Sequence, residues 1–243
     1  MQAGPRCPIL ALWSLPRSRS TAFFLMMAQR GDFLALHEPF SNLAEFGTVT
    51  VGGTQARSAT DLLAAIRAAA LDQPVFFKDT TDERYPELLA DREFLRSDAR
   101  HTFLIRHPRE TIASYYQLNP LVRQHQIGVA ALHEIFVTVR NLTGRQPVVI
   151  DAADLVKAPG ALVRAYCDAV SIPFRPDALR WQPGQRQQWQ PTRRWHERAS
   201  QSSGFEATAP APGPDVDSHP ALAGYLRYHL PFYEDLRRYR LRV

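Results

Sequence analysis

From residue 9 to residue 169, short apolar runs alternate with stretches of helical periodicity, and this alternation limits what the chain can fold into. The runs "ILALW", "PVFFK", "HTFLIR" and "PVVI" read as four buried strands. Between and after them, residues 20–30, "SATDLLAAIRAAALD", "YPELLADREFL", "PRETIASYYQL", residues 127–142 and residues 158–169 read as helices. Strand then helix, repeated, predicts an α/β domain in which a parallel sheet carries helices on both faces. "FLALHEPF" is a further short apolar run ended by a proline, and residues 45–58 read as a loop. Residues 219–241, "HPALAGYLRYHLPFYEDLRRYRL", predict two short helices broken at Pro231.

Composition narrows the class. A chain of 243 residues with 45% hydrophobic residues suits one domain, residues 1–243, with a core over about 9–174 and a C-terminal lid and helices over about 175–243. The formal charge is +5, and only Lys78 and Lys157 among the 29 cations are lysine. A scattered positive excess points to an anionic ligand rather than to a polybasic tail. The two cysteines, Cys7 and Cys167, form no disulfide framework and no zinc spacing, which agrees with a cytoplasmic protein. The opening "MQAGPRCPILALWSLP" is followed by arginines where a leader peptide needs small residues, so no leader is expected. No run of about 18 apolar residues predicts a membrane span.

Between the first strand and the first helix lies "PRSRST", residues 16–21, with two cations and three hydroxyls. Ligands of open α/β sheets bind at the carboxyl ends of strands, and a helix N-terminus attracts anions. Arg17, Ser18, Arg19, Ser20 and Thr21 therefore suggest a phosphate cradle; an exposed basic turn is the plain alternative. The G-x-x-x-x-G-K-[ST] loop of ATP- and GTP-binding proteins is absent, because both glycines and the lysine are missing. A second candidate is "HTFLIRHPRETIASYY", where Arg106 ends a strand and Ser114 follows eight positions on, within a helix. A forked cation and a hydroxyl so placed can converge on one oxyanion.

Together these two stretches resemble sulfotransferases that use 3′-phosphoadenosine 5′-phosphosulfate (PAPS). In that family a P-[KR]-S-G-[ST]-T loop holds the 5′-phosphosulfate, and an arginine with a serine eight positions on holds the 3′-phosphate. "PRSRST" matches the first, and Arg106 with Ser114 the second; "VVIDAADLVKAPGALVRAYCDAVSIPF" also looks like a later core segment of the family. The resemblance implies a sulfotransferase fold with a P-loop-like parallel sheet, PAPS as the donor co-substrate and a small-molecule acceptor; the histidines show no metal-ligand spacing and no RNA module is recognised, so no metal, nucleic acid or membrane partner is expected. It also exposes departures. Arg19 stands where the family has glycine, Ala22 where many members place a tryptophan, and Thr80 where the catalytic histidine belongs.

With Thr80 unable to act as a base another group is needed, and Glu38 in "LHEPF", 21 positions beyond Arg17, resembles the glutamate of tyrosylprotein-type and some bacterial sulfotransferases; the resemblance makes it the candidate base, with His37 in reserve. The plain alternatives are a Glu38 ion pair with Arg17 or Arg19, and a packed His37. Lys78 resembles the family lysine that approaches the leaving oxygen; otherwise it pairs with Asp79 at the surface. Trp181, Trp189 and Trp195 stand among arginines, which suggests a lid over the nucleotide, with plain packing and RNA stacking as the other readings. "SSGF", residues 202–205, is a candidate to close on the 3′-phosphate. Two rival functions stay open: a small-molecule kinase, which needs a loop lysine and a magnesium ligand, and a nucleotide-binding protein without turnover, in which Glu38 and Lys78 are structural.

Overall fold

The structure, a computed structural model, describes residues 8–186, 189, 192–205 and 213–243. The first seven residues of the stretch read for a leader, Cys7 among them, and part of the proline-rich segment at 207–217 lie outside the described residues. The first half contains β1 (Ile9–Ser14), α1 (Ser20–Gln29), β2 (Leu34–His37), α2 (Pro39–Phe46), β3 (Val49–Val51), β4 (Thr54–Ala56), α3 (Ala59–Ala69) and β5 (Val75–Thr80). Then come α4 (Pro86–Ala90), β6 (Ala99–Ile105), α5 (Pro108–Leu118), α6 (Val129–Thr143), β7 (Val148–Asp151), α7 (Ala152–Lys157) and α8 (Pro159–Ala169). Helices α9 (Arg193–Ser200) and α10 (Pro220–Arg238) follow.

Five strands form one sheet in the order β2-β5-β1-β6-β7, and every neighbouring pair is parallel. Side chains of a strand alternate between faces. Ile9, Ala11 and Trp13 of β1 accordingly enter a core with Leu62 and Ile66 of α3, Ile112 of α5 and Phe136 of α6. Leu10 and Leu12 enter a second core with Phe23 to Met27 of α1 and Tyr166 of α8. Both faces are covered, which is why β1 reads as an unbroken apolar run. The Trp13 indole donates to His101 Nδ1 (2.9 Å), while His101 Nε2 meets the Phe94 carbonyl (3.3 Å). An indole only donates, so Nδ1 accepts and the proton sits on Nε2; burial lowers His101 to about 4, which keeps the ring neutral.

Four departures from the sequence reading have physical causes. Residues 45–58 are not a plain loop: β3 and β4 form an antiparallel hairpin, and Gly52 and Gly53 both have positive φ (54° and 85°). That is the backbone a two-residue primed turn requires. Pro39 opens α2 rather than ending a run, since proline at the first helical turn removes no hydrogen bond. "YPELLADREFL" splits at Asp91, whose carboxylate accepts from the Phe94 amide (3.0 Å), leaving α4 and a π turn over Phe94–Asp98. The helix read at 127–142 begins after Gly128, whose φ is 82° and whose added Cβ would lie 2.8 Å from the Thr81 carbonyl oxygen.

The C-terminal helix is continuous through Pro231 and packs on α5 and α6. Proline costs a helix one amide and crowds the carbonyl four residues back. Pro231 and Arg227 are both exposed, so water can satisfy that carbonyl. Pro231→Ala is expected to raise stability by about 1–2 kcal/mol, less than the full interior penalty because proline also stiffens the unfolded chain. A denaturant titration checks this; an unchanged or lower midpoint would show that the packing of α10 depends on the proline.

Candidate active site

The carboxyl ends of β1, β5 and β6 open into a cavity of about 1760 Å³. Its lining includes Arg17, Ser18, Arg19, Ser20, Thr21, Glu38, Lys78, Arg106 and Ser114. Nine of the ten expected residues thus meet at one place; His37 does not line the cavity.

The turn after β1 is shaped by its backbone. Arg17 and Arg19 have φ of 61° and 68°, the left-handed region where glycine is the usual occupant. The Ser18 hydroxyl turns inward and donates to the Leu15 carbonyl (2.6 Å), closing the turn. Ser20 starts α1, whose first amides lack intrahelical acceptors. The second stretch is joined to the first by hydrogen bonds. Arg106 lies just past the end of β6 and donates to the Arg17 carbonyl (2.7 Å) and to Glu110 (2.8 Å). Arg17 donates to Ser114 Oγ (3.2 Å) and to the Trp195 carbonyl (2.7 Å). Burial, followed by the neighbouring Arg198 and Arg106 cations, lowers Arg17 to about 10. An anion placed among these guanidinium groups relieves both costs.

Across β5 stands the second part of the site. His37 pairs in register with Lys78, and the Glu38 amide donates to the Lys78 carbonyl (2.6 Å). Glu38, at φ 51°, is thereby set beside Lys78, and their side chains form a close ion pair. Lys78 is 1% exposed, so it is no surface cation, and its partner is Glu38 rather than Asp79. Asp79 faces the opposite way, where its carboxylate accepts from the Phe40 amide (2.6 Å), the Ser41 amide (3.2 Å) and the Ser41 hydroxyl (2.6 Å). It caps α2 from another strand and so fixes the residue before it, Glu38. Thr80 lines the cavity with its Oγ1 3.1 Å from Ser41 Oγ.

Burial alone would raise the Glu38 carboxyl, but the adjacent Lys78 ammonium more than offsets this and holds it at about 2. His37 Nδ1 lies 3.7 Å from Glu38 Oε2, and His196 Nε2 lies 3.9 Å from it. Burial lowers His37 to about 3 and His196 to about 4, so both rings are neutral at physiological pH. His37 is packed against Phe24, Trp189 and His196.

His196 was not anticipated from sequence. It sits on α9, 3.4 Å from the Thr21 hydroxyl through Nδ1 and 3.1 Å from Thr192 Oγ1 through Nε2. Its signal, one histidine in an arginine-rich stretch, carries no spacing that ties it to Glu38. His37, Glu38 and His196 bring possible ligand atoms within 4.8 Å of one another. The Lys78 ammonium already neutralises Glu38 there, so a metal ion would have to displace it. The tryptophans also depart from expectation. Trp181 and Trp189 are buried in the α1–α8 core, which is plain packing. Trp195 lines the cavity and packs edge-on against Tyr115. Ser202, Gly204 and Phe205 line the cavity as well.

A family model described as a sulfotransferase domain matches residues 8–239. The chain belongs to the sulfotransferase family. Two solved sulfotransferases share the fold: the domain from the curacin biosynthetic pathway (18% identical, TM-score 0.50, 98% of this chain and 94% of that chain) and the enzyme from Alicyclobacillus acidocaldarius (12% identical, TM-score 0.54, 98% of each chain). Among curated proteins, the sulfotransferase chain is similar to branched-chain-amino-acid aminotransferase-like proteins 2 and 1 of Arabidopsis thaliana, at 30% and 27% identity over 94% of its length. It spans 41% of each of those relatives. No helix among the described residues is long and apolar enough to cross a membrane.

The left-handed turn yields a prediction. Arg19→Gly removes a side chain from a backbone that costs a non-glycine residue about 1–2 kcal/mol, and a gain of about 1 kcal/mol in stability is expected. Chemical denaturation measures it. A loss instead would show that contacts of the Arg19 side chain outweigh the strain.

Proposed function

We propose that this chain transfers a sulfonate group from PAPS to a hydroxyl or amine of a small-molecule acceptor. The observation that carries the proposal is the bonded set Arg106, Arg17 and Ser114, which ties two cationic loops at the carboxyl ends of adjacent parallel strands. A nucleotide with phosphates at both its 5′ and 3′ positions matches two such loops. In this reading Arg17, Arg19, Ser20 and Thr21 serve the 5′-phosphosulfate, Ser18, whose hydroxyl already donates to the Leu15 carbonyl, shapes their turn instead of donating to the ligand, and Arg106 with Ser114 serves the 3′-phosphate. Helix α9 and residues 202–205 act as a lid within the C-terminal part of a single domain. The cytoplasm is the compartment assigned, on a cysteine pattern without a disulfide framework.

The chemistry follows from the ion pair. The acceptor oxygen or nitrogen forms a bond to sulfur, the bond from sulfur to the bridging oxygen breaks, and the electron pair leaves with the 5′-phosphate. By analogy with phosphoryl transfer, the protein contributes mainly position and charge. Lys78 meets the charge that develops on the leaving oxygen. As Lys78 turns to that oxygen, it releases Glu38 and withdraws the charge that holds the carboxylate at about 2. Glu38 then becomes basic enough to take the acceptor proton. His37 and His196, both neutral, hold Glu38 from behind and from the lid.

The same ion pair suits a nucleotide-binding protein without turnover, in which Glu38 only neutralises Lys78. A transfer assay with labelled PAPS and a panel of phenols, alcohols and amines separates the two. Glu38→Gln is expected to cut transfer by roughly 10²–10⁴-fold with donor affinity nearly unchanged. A variant as active as the wild type removes Glu38 as the base; no transfer by the wild type to any acceptor favours binding without turnover.

A further inference from the structure

Helix α9 meets the turn after β1 twice. Arg17 donates to the Trp195 carbonyl (2.7 Å), and one residue on, His196 Nδ1 lies 3.4 Å from the Thr21 hydroxyl. The other ring nitrogen, Nε2, lies 3.1 Å from the Thr192 hydroxyl and 3.9 Å from Glu38 Oε2. One imidazole thus bridges a hydroxyl assigned to the donor and the carboxylate assigned to the acceptor proton. The ring is buried, stacked on Trp189 (centroids 5.1 Å apart) and edge-on to His37 (4.8 Å). Its place is therefore fixed, and what can change is which nitrogen carries the proton.

Two imidazoles flank Glu38, and they differ. His37 Nδ1 lies 3.7 Å from Glu38 Oε2, while its Nε2 is shut off from solvent and has no hydrogen-bond partner among the described residues. A proton on that Nε2 would be a buried donor left unpaired, so His37 carries its proton on Nδ1. His196 instead has a hydroxyl beside each nitrogen, and a hydroxyl either donates or accepts. Both tautomers of the neutral ring are therefore satisfied. Glu38 decides between them: ionised at neutral pH, it only accepts, and it favours the proton on Nε2. Nδ1 then accepts from the Thr21 hydroxyl.

We propose that His196 is a positioning residue that transmits donor binding from Thr21 to Glu38 by exchanging tautomers, an inference that rests on the sulfotransferase reading. When the Thr21 hydroxyl donates to a 5′-phosphate oxygen, its own oxygen is left to accept, and His196 donates to it from Nδ1. The ring stays neutral: it loses the proton on Nε2 and gains one on Nδ1 by exchange with water in the cavity, which His196 lines. The Thr192 hydroxyl turns to donate to the bare Nε2. Glu38 thereby loses a neighbouring N–H and faces a lone pair, which raises its basicity. The base is primed only when the donor is in place.

The test is nitrogen NMR on the full chain labelled at its eight histidines, because a protonated ring nitrogen and a bare one resonate far apart. The His196 signals are those missing from His196→Asn or His196→Gln. Adenosine 3′,5′-bisphosphate, with binding checked by calorimetry, is expected to move the His196 proton from Nε2 to Nδ1 and to leave His37 unchanged. Thr21→Val, saturated with the bisphosphate, should block the move. Asn and Gln each keep an amide near the place of one ring nitrogen and lose the other. Both variants should therefore lose about tenfold or more in kcat, with bisphosphate affinity within about threefold of the wild type. Bisphosphate binding without the tautomer change, a change that survives Thr21→Val, or full kcat in both His196 variants overturns the inference and leaves the sulfotransferase reading standing. Failure of the bisphosphate to bind overturns that reading and the inference with it.

Discussion

The Arg106 guanidinium donates to the Arg17 carbonyl, and Arg17 donates to Ser114 and to the Trp195 carbonyl. These bonds pin the left-handed turn between β1 and α1, where two arginines occupy backbone that glycine would adopt without strain. They also join three parts of the chain: the loops after β1 and β6, and the start of the segment that carries α9. Without that link the cations would repel one another and turn to solvent. With it they face one cavity from fixed positions, at the end of the sheet where ligands of parallel α/β proteins bind.

A second constraint runs through β5. Successive residues of this strand point to opposite faces, so Lys78 turns to Glu38 while Asp79 turns to the start of α2. Asp79 caps that helix and Glu38 is the residue before it, which makes one strand both the anchor and the partner of the proposed base. The geometry is consistent from backbone to charge: the β2–β5 register fixes Glu38, the cap fixes its helix, and the ion pair fixes its ionisation. Departures from ordinary backbone concentrate here, since Arg17, Arg19 and Glu38 are three of the four non-glycine residues with positive φ among the described residues.

The parallel sheet was legible because β1, β5, β6 and β7 are buried on both faces and so read as apolar runs bounded by helices. The meeting of the two cationic loops at one cavity was legible because their signal is local: cations and hydroxyls between a strand and a helix. What sequence reading missed is non-local or subtle. Nothing near Pro39 announces that Asp79, on another strand, will cap α2. Gly52 and Gly53 did carry a hairpin signal, but strands of three residues are too short to show alternation. Pro231 looked like a break, and only the exposure of Arg227 explains why the helix passes through it. His196 matters through its neighbours in space, His37, Glu38 and Thr21, and spacing along the chain does not encode those meetings.

The central claim is that the loops after β1 and β6 together read a nucleotide with two separated phosphates. Titration calorimetry with adenosine 3′,5′-bisphosphate, AMP and ATP on the wild type and Arg106→Ala tests it most directly. The account predicts tightest binding of the bisphosphate by the wild type. Removing Arg106 should cost about 1.5–3 kcal/mol for the bisphosphate, the worth of a hydrogen bond to a charged group, and much less for AMP. Equal losses for the bisphosphate and AMP, or tighter binding of ATP than of the bisphosphate by the wild type, would contradict it.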